Sequence, residues 1–262
     1  MEILVLGTSA IKPLPRENCR CSICLSRNPK DRRMRSSILI NNKFLIDCGP
    51  DIKLQIANCP SLRNLGEGLK IENLKGIFLT HAHEDHTNGL KKIKNLKLKI
   101  KNLPELYLSR SCRKVLSKKL LSRFRVKIIK AGKKIKIDNL VFQPLKVIHP
   151  WIETFAFKTK SLSGRTCQFV YMPDYKKISR KSLKYFKNID LLIVGGSSLE
   201  RKLPWHATIR ESIKLFKEMS VNKIYFTHIG HRTLPHQELV KLVKREGGKN
   251  FDICFDGQRI KI

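Results

Sequence analysis

Four residues that commonly bind metal ions occur within six positions of the chain. Residues 81–86 read His-Ala-His-Glu-Asp-His and follow an apolar segment, residues 76–80, that is typical of a buried strand. His81 and His83 are two positions apart, so they can share one side of an extended loop but not one face of a helix. Imidazole suits zinc, and carboxylate oxygen also admits manganese or iron. A chance polar loop explains this segment poorly.

Two metal ions held close together can stabilise both the attacking and the leaving oxygen of a phosphoryl transfer. Asp85 and His86 extend the loop and can bind a metal ion next to the one that His81 and His83 bind. This segment alone therefore predicts a metal-dependent hydrolase and no particular substrate.

A second candidate metal site lies near the start of the chain, where Cys19, Cys21 and Cys24 form a Cys-x-Cys-x-x-Cys cluster. Three thiolates suit a structural zinc ion, which takes four ligands. His231 lies three residues after His228 and can complete a Cys₃His site. Free thiols in a basic loop are the alternative, although thiols this crowded would oxidise readily. The other cysteines lie singly in apolar stretches and are expected to be buried: Cys48, Cys59, Cys112, Cys167 and Cys254.

Residues 81–86 resemble the His-x-His-x-Asp-His signature of the metallo-β-lactamase superfamily, and further landmarks of that family follow in order. Three later strand-like segments are followed by a potential ligand, in order His149, Asp174 and His228. The resemblance implies that one ion binds His81, His83 and His149, that the other binds Asp85, His86 and His228, and that Asp174 bridges them. It also implies that Asp47 orients the histidine loop through hydrogen bonds. A plain turn carboxylate before Gly49 is the alternative for Asp47.

The cysteine cluster narrows the resemblance to the PhnP-type phosphodiesterases of phosphonate degradation. These proteins combine a cysteine-rich zinc loop with an intact histidine motif, a Thr-His-Ile-x-His segment and an Asp-Gly near the C-terminus; here the last two are residues 227–231 and 256–257. The chain resembles the PqqB proteins of pyrroloquinoline quinone biosynthesis less, because their histidine motif is degraded. The PhnP-type resemblance implies two catalytic zinc or manganese ions and one structural zinc.

The same resemblance suggests a general acid, His206, since histidine can protonate a leaving alkoxide. An ordinary histidine at a helix start is the alternative. Where relatives tend to carry an acidic residue, this chain has Gly-Gly-Ser-Ser at residues 195–198. We expect that bare loop either to admit phosphate closely or to indicate a changed substrate. His236 matches no motif and is expected at the surface.

The charge is extreme, because 54 lysines and arginines face only 21 acidic residues and leave a net charge of +33. Such a field attracts anionic substrates and nucleic acid, although a lysine-rich compositional bias is an equally good explanation. No apolar run is long enough to cross a membrane. The N-terminus, residues 1–7, lacks the pattern of a signal peptide and is predicted to form a first strand. We therefore expect a soluble cytoplasmic protein. A homodimer is possible by analogy with relatives.

The elements that must position these residues are mostly strands, joined by helices in the second half. Strands are predicted at residues 37–40 and 43–47 around an Asn-Asn turn, and at 76–80, 126–129, 134–137, 140–148, 155–159, 168–172, 191–194, 223–227 and 259–262. Helices are predicted at residues 111–123, 177–186, 207–219 and 235–245, the last with Pro235 at its first position. This pattern predicts an α/β fold, an αββα sandwich of two mixed sheets, in a single domain over residues 1–262 with the zinc loop at about 17–35.

Three functions follow as hypotheses. The first is a dinuclear metal phosphodiesterase acting on a small cyclic phosphate ester, such as a phosphoribosyl cyclic phosphate or a cyclic nucleotide. The second is an RNA-processing nuclease like tRNase Z, which the charge favours and the absence of a glycine-rich protruding arm disfavours. The third is a biosynthetic protein of the PqqB type.

Overall fold

The computed structural model describes residues 1–58, 74–95, 104–164 and 166–262. The strands in these residues are β1 (Glu2–Gly7), β2 (Ser37–Ile40), β3 (Phe44–Ile46), β4 (Gly76–Phe78), β5 (Glu105–Leu108), β6 (Arg125–Ile128), β7 (Ile135–Ile137), β8 (Leu140–His149), β9 (Ile152–Ser161), β10 (Gln168–Met172), β11 (Lys177–Ile178), β12 (Ile189–Gly195), β13 (Val221–Thr227), β14 (Phe251–Ile253) and β15 (Arg259–Lys261). The α-helices are α1 (Ser22–Leu25), α2 (Ile52–Asn58), α3 (Glu84–Thr87), α4 (Gly89–Asn95), α5 (Arg110–Val115), α6 (Lys118–Leu121), α7 (Arg180–Leu183), α8 (Ile209–Lys217) and α9 (His236–Gly247).

The strands form two mixed sheets. The first has the order β15-β1-β2-β3-β4-β5-β6, and the second has the order β11-β8-β9-β10-β12-β13-β14, with β7 paired to β8. The pairs from β3 to β6 are parallel, as are those linking β10, β12, β13 and β14. The remaining pairs are antiparallel.

The two sheets pack face to face over an apolar core rich in phenylalanine. The ring of Phe78 from the first sheet stacks on that of Phe142 from the second, with centroids 4.4 Å apart. Outside the sheets, α8 and α9 bury Ile213, Phe216 and Leu239 against the second sheet, while α2 and α4 bury Ile52 and Leu90 against the first. The result is the four-layer αββα sandwich that the sequence predicted, in which the central strands are buried on both faces.

The parallel registers bring several strand ends to one edge of the sandwich. Ile46 lies opposite Phe78, so Asp47 emerges beside the loop that carries the histidines. In the second sheet Met172, Val194 and Phe226 lie side by side. The residues two positions further on, Asp174, Gly196 and His228, therefore emerge together. Ligands commonly bind at such carboxyl ends of parallel strands.

Local sequence explains most element boundaries. Asn41 and Asn42 both adopt left-handed backbone conformations, with φ of 48° and 54°, and Lys43 N donates to Ile40 O. This confirms the predicted hairpin turn, which asparagine tolerates better than most residues. Helix α8 confirms the amphipathic pattern predicted for residues 207–219, and a reciprocal capping box between Thr208 and Glu211 fixes its start.

Three predicted helices are wrong in part. The predicted helix 111–123 is divided into α5 and α6, because Leu116 is extended and the Ser117 side chain caps a new helix by accepting from Leu120 N. In the predicted helix 177–186, Lys177 and Ile178 instead pair with β8, and the chain turns into α7 and a 3₁₀ turn, Lys184–Phe186. Pro235 is the cap before α9 and not its first residue.

Three short strands were not predicted: β5, β14 and β11, the last of which lies in the predicted helix 177–186. Cys48, Cys112, Cys167 and Cys254 are buried as expected, while Cys59 lies outside the described residues. Within the residues that the structure describes, each helix is too short or too polar to cross a membrane.

Candidate metal centre

The first donor group consists of His81, His83 and His149, whose ring nitrogens can all lie within 4.8 Å of one another. His149 donates from Nδ1 to the Trp205 carbonyl at 2.8 Å, which leaves Nε2 with its lone pair. Burial lowers the pKa of both His81 and His83, and neighbouring imidazoles lower it further. The neutral imidazole that this favours is the form that binds a metal ion.

The second donor group consists of Asp85, His86 and His228. Oδ2 of Asp85 lies 3.3 Å from His86 Nε2 and 3.6 Å from His228 Nε2. Although burial opposes it, the charges of His86 and of the nearby His228 hold the pKa of Asp85 well below its usual range. Both sequence-predicted triads are thus assembled at one edge of the sheets.

Asp174 lies between the two groups. Its Oδ2 is 2.9 Å from His86 Nε2 and its Oδ1 is 3.3 Å from His228 Nε2, and it also clusters with His81 and His86. Burial alone would raise the pKa of Asp174, but His228 and His86 hold it well below its usual range. Both of these distances are to the second group, and Asp174 reaches the first group through the clusters that it forms with His81 and with His149. A carboxylate close to donors of both groups is what the resemblance implied for a bridging ligand.

Asp47 and Thr80 hold the histidine loop from behind. Oδ1 of Asp47 accepts hydrogen bonds from Thr80 N at 2.8 Å and from Thr80 Oγ1 at 3.0 Å, and His86 Nδ1 lies 2.8 Å from Oδ2. The Thr80 hydroxyl also lies 2.9 Å from His81 Nδ1. These bonds direct Nε2 of His86 towards Asp174. Asp47 is fully buried, and burial raises its pKa while His86 opposes that rise.

His206 lies beside these groups. Its Nδ1 is 3.2 Å from Asp174 Oδ1, and it clusters with His149 and Asp174. Burial lowers the pKa of His206 to about 4. The ring lines a cavity of about 270 Å³ together with His83, Asp85, His228 and the two tryptophans Trp151 and Trp205.

The chemistry of these donors fits divalent cations. The buried carboxylates of Asp85 and Asp174 need positive charge between them, since an uncompensated buried charge is costly. His228 Nδ1 is buried without a hydrogen-bond partner, and its Nε2 makes no hydrogen bond either. Such an orphaned polar group requires an explanation, and a ligated metal ion provides one. The site is therefore one for metal ions.

The cysteine loop forms the second donor cluster. Sγ atoms of Cys19, Cys21 and Cys24 and a ring nitrogen of His231 all lie within 4.8 Å of one another, with Cys19 Sγ 3.3 Å from His231 Nδ1. Hydrogen bonds from the Cys21 backbone and from His231 lower the pKa of Cys19 to about 6, while burial raises that of Cys24 to about 11. The structure thus brings together the four residues that the sequence singled out, a set that suits tetrahedral zinc.

In comparison with known proteins, residues 42–229 match the β-lactamase superfamily domain. The chain belongs to the β-lactamase superfamily. Within this superfamily it is similar to a diphosphatase of the PhnP family, with a TM-score of 0.81, 26% identity and coverage of 100% of this chain and 97% of the other. It also shares its fold with zinc-bound PqqB from Methylobacterium extorquens, with a TM-score of 0.80, 19% identity and full coverage of both chains.

Among curated relatives, an octanoyltransferase of Porphyromonas gingivalis is 24% identical over 284 residues. The match covers 100% of this chain but 53% of that protein. This superfamily member therefore spans about half the length of that relative.

Sequence reasoning missed several contributors to the site. Thr80 and the Trp205 carbonyl orient histidines, yet a threonine before a histidine and a backbone oxygen carry no distinctive signal. His236 was expected at the surface, but it is 5% exposed. Its Nδ1 lies 3.0 Å from Nη2 of the buried Arg33. It is therefore part of a buried polar network behind the cysteine loop.

The glycines at 195 and 196 lie against other protein atoms. A Cβ on Gly195 would lie 2.0 Å from the Pro173 carbonyl, and one on Gly196 would lie 2.9 Å from Ile209. Protein atoms therefore occupy the space beside these glycines, which allow β12 to approach β10 and α8 closely. The expectation that the 195–198 loop either admits phosphate closely or indicates a changed substrate stays a prediction.

Proposed function

We propose that this protein is a metal-dependent phosphodiesterase that hydrolyses a small, cyclic phosphate ester such as phosphoribosyl cyclic phosphate or a cyclic nucleotide. The observation that carries the proposal is the pair of donor triads joined by Asp174 at the floor of a cavity. The 26% identity to a PhnP-family diphosphatase over nearly both full chains supports it, as does the net charge of +33, which attracts anionic substrates.

In this proposal two divalent ions, zinc or manganese, would bind the two triads, and one zinc would bind the cysteine loop with His231. Bound there, the pair of ions would activate water as a nucleophile and neutralise charge on the phosphoryl oxygens. Asp174 would contact both ions, and Asp85 would keep the second one beside His228. Thr80, Asp47 and the Trp205 carbonyl would hold the imidazoles in place, so that little reorganisation accompanies the reaction.

His206 would supply the proton that the leaving oxygen needs. Its Nδ1 is occupied by Asp174 at 3.2 Å, so Nε2 is the atom that can face the substrate. Burial favours the neutral ring in the free protein. An anionic phosphate ester beside the ring would favour the protonated form, because opposite charges raise the pKa of an imidazole. Nε2–H could then donate to the departing alkoxide.

The test is turnover of phosphodiesters by protein whose metal content is quantified. We expect zinc- or manganese-loaded protein to hydrolyse bis(p-nitrophenyl) phosphate, a 2′,3′-cyclic nucleotide or phosphoribosyl cyclic phosphate, and to hold three metal equivalents per chain. His83→Ala should lower kcat at least 100-fold. His236→Asn is the matched control, because His236 lies outside both donor clusters and this variant should retain turnover. No turnover, or turnover that His83→Ala leaves unchanged, would contradict the proposal.

Cleavage of RNA in the manner of tRNase Z is the second candidate function, and the net charge favours it. Precursor tRNA is the appropriate probe. Strongly salt-dependent binding without cleavage would show that the charge causes adhesion only. A single zinc equivalent with no hydrolysis of any ester would instead favour a biosynthetic role of the PqqB type.

A further inference from the structure

Lysines of β7 and β9 share one end of the outer face of the second sheet. Side chains of a strand alternate between its two faces, and Ala156 in β9 points outwards, because it belongs to the core cluster that α8 and α9 cover. Lys158 and Lys160 follow it at two-residue intervals and share that face. Val141 of β8 lies between Lys136 of β7 and Lys160 in one row across the sheet. Lysines therefore flank β8 on both sides of its outer face.

Lys134 completes this group, which we call the lysine face: Lys134, Lys136, Lys158 and Lys160. The side chain of Lys158 is half-buried and the other three are exposed. Burial and the positive charges of Lys160 and Lys134 lower the pKa of Lys158. The cations are therefore close enough to repel one another, and a partner with negative charge would relieve that repulsion.

Among the described residues, no carboxylate forms an ion pair with the lysine face. Asp138, in the turn between β7 and β8, pairs with Lys75 instead. Asp190 lies two strands from Lys160, across β10, and accepts a hydrogen bond from Gln168 N. Within the described part of the chain, the positive charge of the face is thus uncompensated.

A groove of about 830 Å³ borders the lysine face. Its lining includes Tyr185, whose carbonyl accepts a hydrogen bond from Lys158 Nζ at 2.8 Å, and Gly132, two residues before Lys134. None of its described lining residues is acidic, and four more are cationic: Lys146, Arg180, Lys181 and Lys184. The lysine face and the groove therefore form one continuous cationic surface.

The spacing of the lysines suits a chain of phosphates. Residues two positions apart along a strand are roughly 7 Å apart, and residues two strands apart are about 10 Å apart. The lysine face is thus a grid in which each cation can meet a different phosphate. Every such contact releases a counterion, which makes binding both favourable and dependent on salt.

The surroundings of the lysines favour an RNA duplex as the partner. Phosphate contacts need positive charge but no apolar centre, whereas protein interfaces have an apolar core rich in aromatic side chains. Single strands are held largely by stacking on aromatic rings, and the row from Lys136 through Val141 to Lys160 has none. A sheet face can lie against the wide, shallow minor groove of A-form RNA. The major groove of B-DNA instead admits a helix or a two-stranded ribbon.

We propose that this cationic surface binds the backbone of an RNA duplex, such as the stem of a folded RNA. Gln168, opposite Lys160, adds an amide that can exchange hydrogen bonds with a 2′-hydroxyl. The surface is separate from the metal centre, since Ile152 pairs with His149 and Lys158 follows six positions later, roughly 20 Å along β9. Docking of RNA here does not depend on hydrolysis at the metal donors.

The experiment measures the fluorescence anisotropy of a labelled RNA duplex of about 16 base pairs over a series of salt concentrations. It compares two double variants of the metal-loaded protein with the same loss of charge. Lys136→Gln/Lys160→Gln should weaken binding at least tenfold at about 0.1 M salt and reduce the slope of log K against log salt by about two, one for each lost phosphate contact. Lys214→Gln/Lys241→Gln, on the exposed sides of α8 and α9, should keep the affinity within twofold and the slope unchanged.

Both variants should unfold in urea at the wild-type concentration, because all four lysines are exposed. Both should also hydrolyse bis(p-nitrophenyl) phosphate at the wild-type rate. If no variant and not even the wild type hydrolyses it while the difference in RNA binding persists, the proposed function fails and the RNA surface stands.

Equal losses of RNA affinity in the two double variants would overturn the proposal, because the charge would then act as an unlocalised field. Tighter binding of a DNA duplex of the same sequence, or of poly(U), would overturn the assignment to duplex RNA. So would binding of polyglutamate or of phosphatidylserine vesicles that depends on Lys136 and Lys160 while duplex RNA does not bind.

Discussion

His86 Nδ1 lies 2.8 Å from Oδ2 of Asp47, and the opposite nitrogen of the same ring lies 2.9 Å from Asp174. One imidazole therefore links a fully buried carboxylate behind the site to the carboxylate at its centre. A carboxylate that forms a hydrogen bond with a metal-ligating histidine fixes the tautomer of that histidine and increases the basicity of its ring.

Asp47→Asn should weaken metal binding at the second triad by about 10- to 100-fold, the range typical of such supporting residues. An amide cannot accept from His86 and from both Thr80 donors with the strength of a carboxylate. Competition with a chelator measures the effect. Asp138→Asn is the control, since Asp138 pairs with Lys75 at an exposed position and has a φ of 51° that asparagine tolerates. Equal affinities in wild type and Asp47→Asn would contradict the assigned role.

The zinc loop leads to a prediction about stoichiometry. Cys21→Ser should remove one zinc equivalent and leave the two catalytic ions in place, because the four donors of the cysteine cluster are separate from both triads. The free energy of unfolding should also fall, since metal that binds only the folded state stabilises it. Cys112→Ala, at a buried cysteine outside the cluster, should retain all three equivalents. Loss of the catalytic ions in Cys21→Ser would show that the two sites are not independent.

The buried pair of Arg33 and His236 predicts a pH dependence of stability. Burial and then Arg33 lower the pKa of His236 from 6.5 to about 4. Between these values the unfolded chain binds a proton that the folded protein does not. The stabilisation is therefore present above pH 6.5 and is lost as the pH falls towards 4, by about 1 to 3 kcal/mol.

The measurement for this pair is the free energy of unfolding in urea between pH 7 and pH 4. His236→Asn should lose less stability than wild type over that interval, because the amide oxygen can accept from Arg33 and does not titrate. Asp256, whose pKa burial raises to about 7, is present in both proteins and affects both curves. Parallel curves for the two proteins would contradict the prediction.

Much of this site could be predicted from sequence, because metal ligation demands particular residue types at strand ends. His81, His83, Asp85 and His86 are adjacent in sequence, so their spacing alone indicates the site. His149, Asp174 and His228 become recognisable through the resemblance, and the parallel registers then explain why they meet.

Other parts could not be predicted, for physical reasons that the structure makes plain. Arg33 and His236 are buried together, with Nη2 and Nδ1 3.0 Å apart, and Asp256 accepts a hydrogen bond from Met34 N; both contacts link segments more than 200 residues apart. No local pattern reports such contacts. Similarly, Gly195 is explained by the carbonyl of Pro173 on a neighbouring strand, which depends on sheet order. The prediction of one continuous helix over residues 111–123 was wrong, because the Ser117 side chain caps the start of a new helix and so competes with continuation of the first one.

Two tryptophans at the cavity mouth predict a preference for planar substituents. Trp151 is 87% exposed and Trp205 38%, and their ring centroids are 5.9 Å apart. Stacking on an aromatic side chain contributes about 1–3 kcal/mol per base. Trp151→Ala should therefore raise KM for adenosine 2′,3′-cyclic phosphate about tenfold and leave KM for ribose 1,2-cyclic phosphate unchanged. Because Trp151 is exposed, its removal leaves the core intact, and an equal rise for both substrates would exclude stacking.

The role of His206 can be separated from metal binding by the choice of leaving group. His206→Asn should lower kcat by about 10²- to 10⁴-fold for an alkyl phosphodiester, whose alkoxide must be protonated as it leaves. For bis(p-nitrophenyl) phosphate the loss should be small, since p-nitrophenolate departs without a proton. Metal content should be unchanged, because the two triads do not include His206. If His206 instead binds an ion alongside His149 and Asp174, the variant will lose metal and both substrates will slow equally.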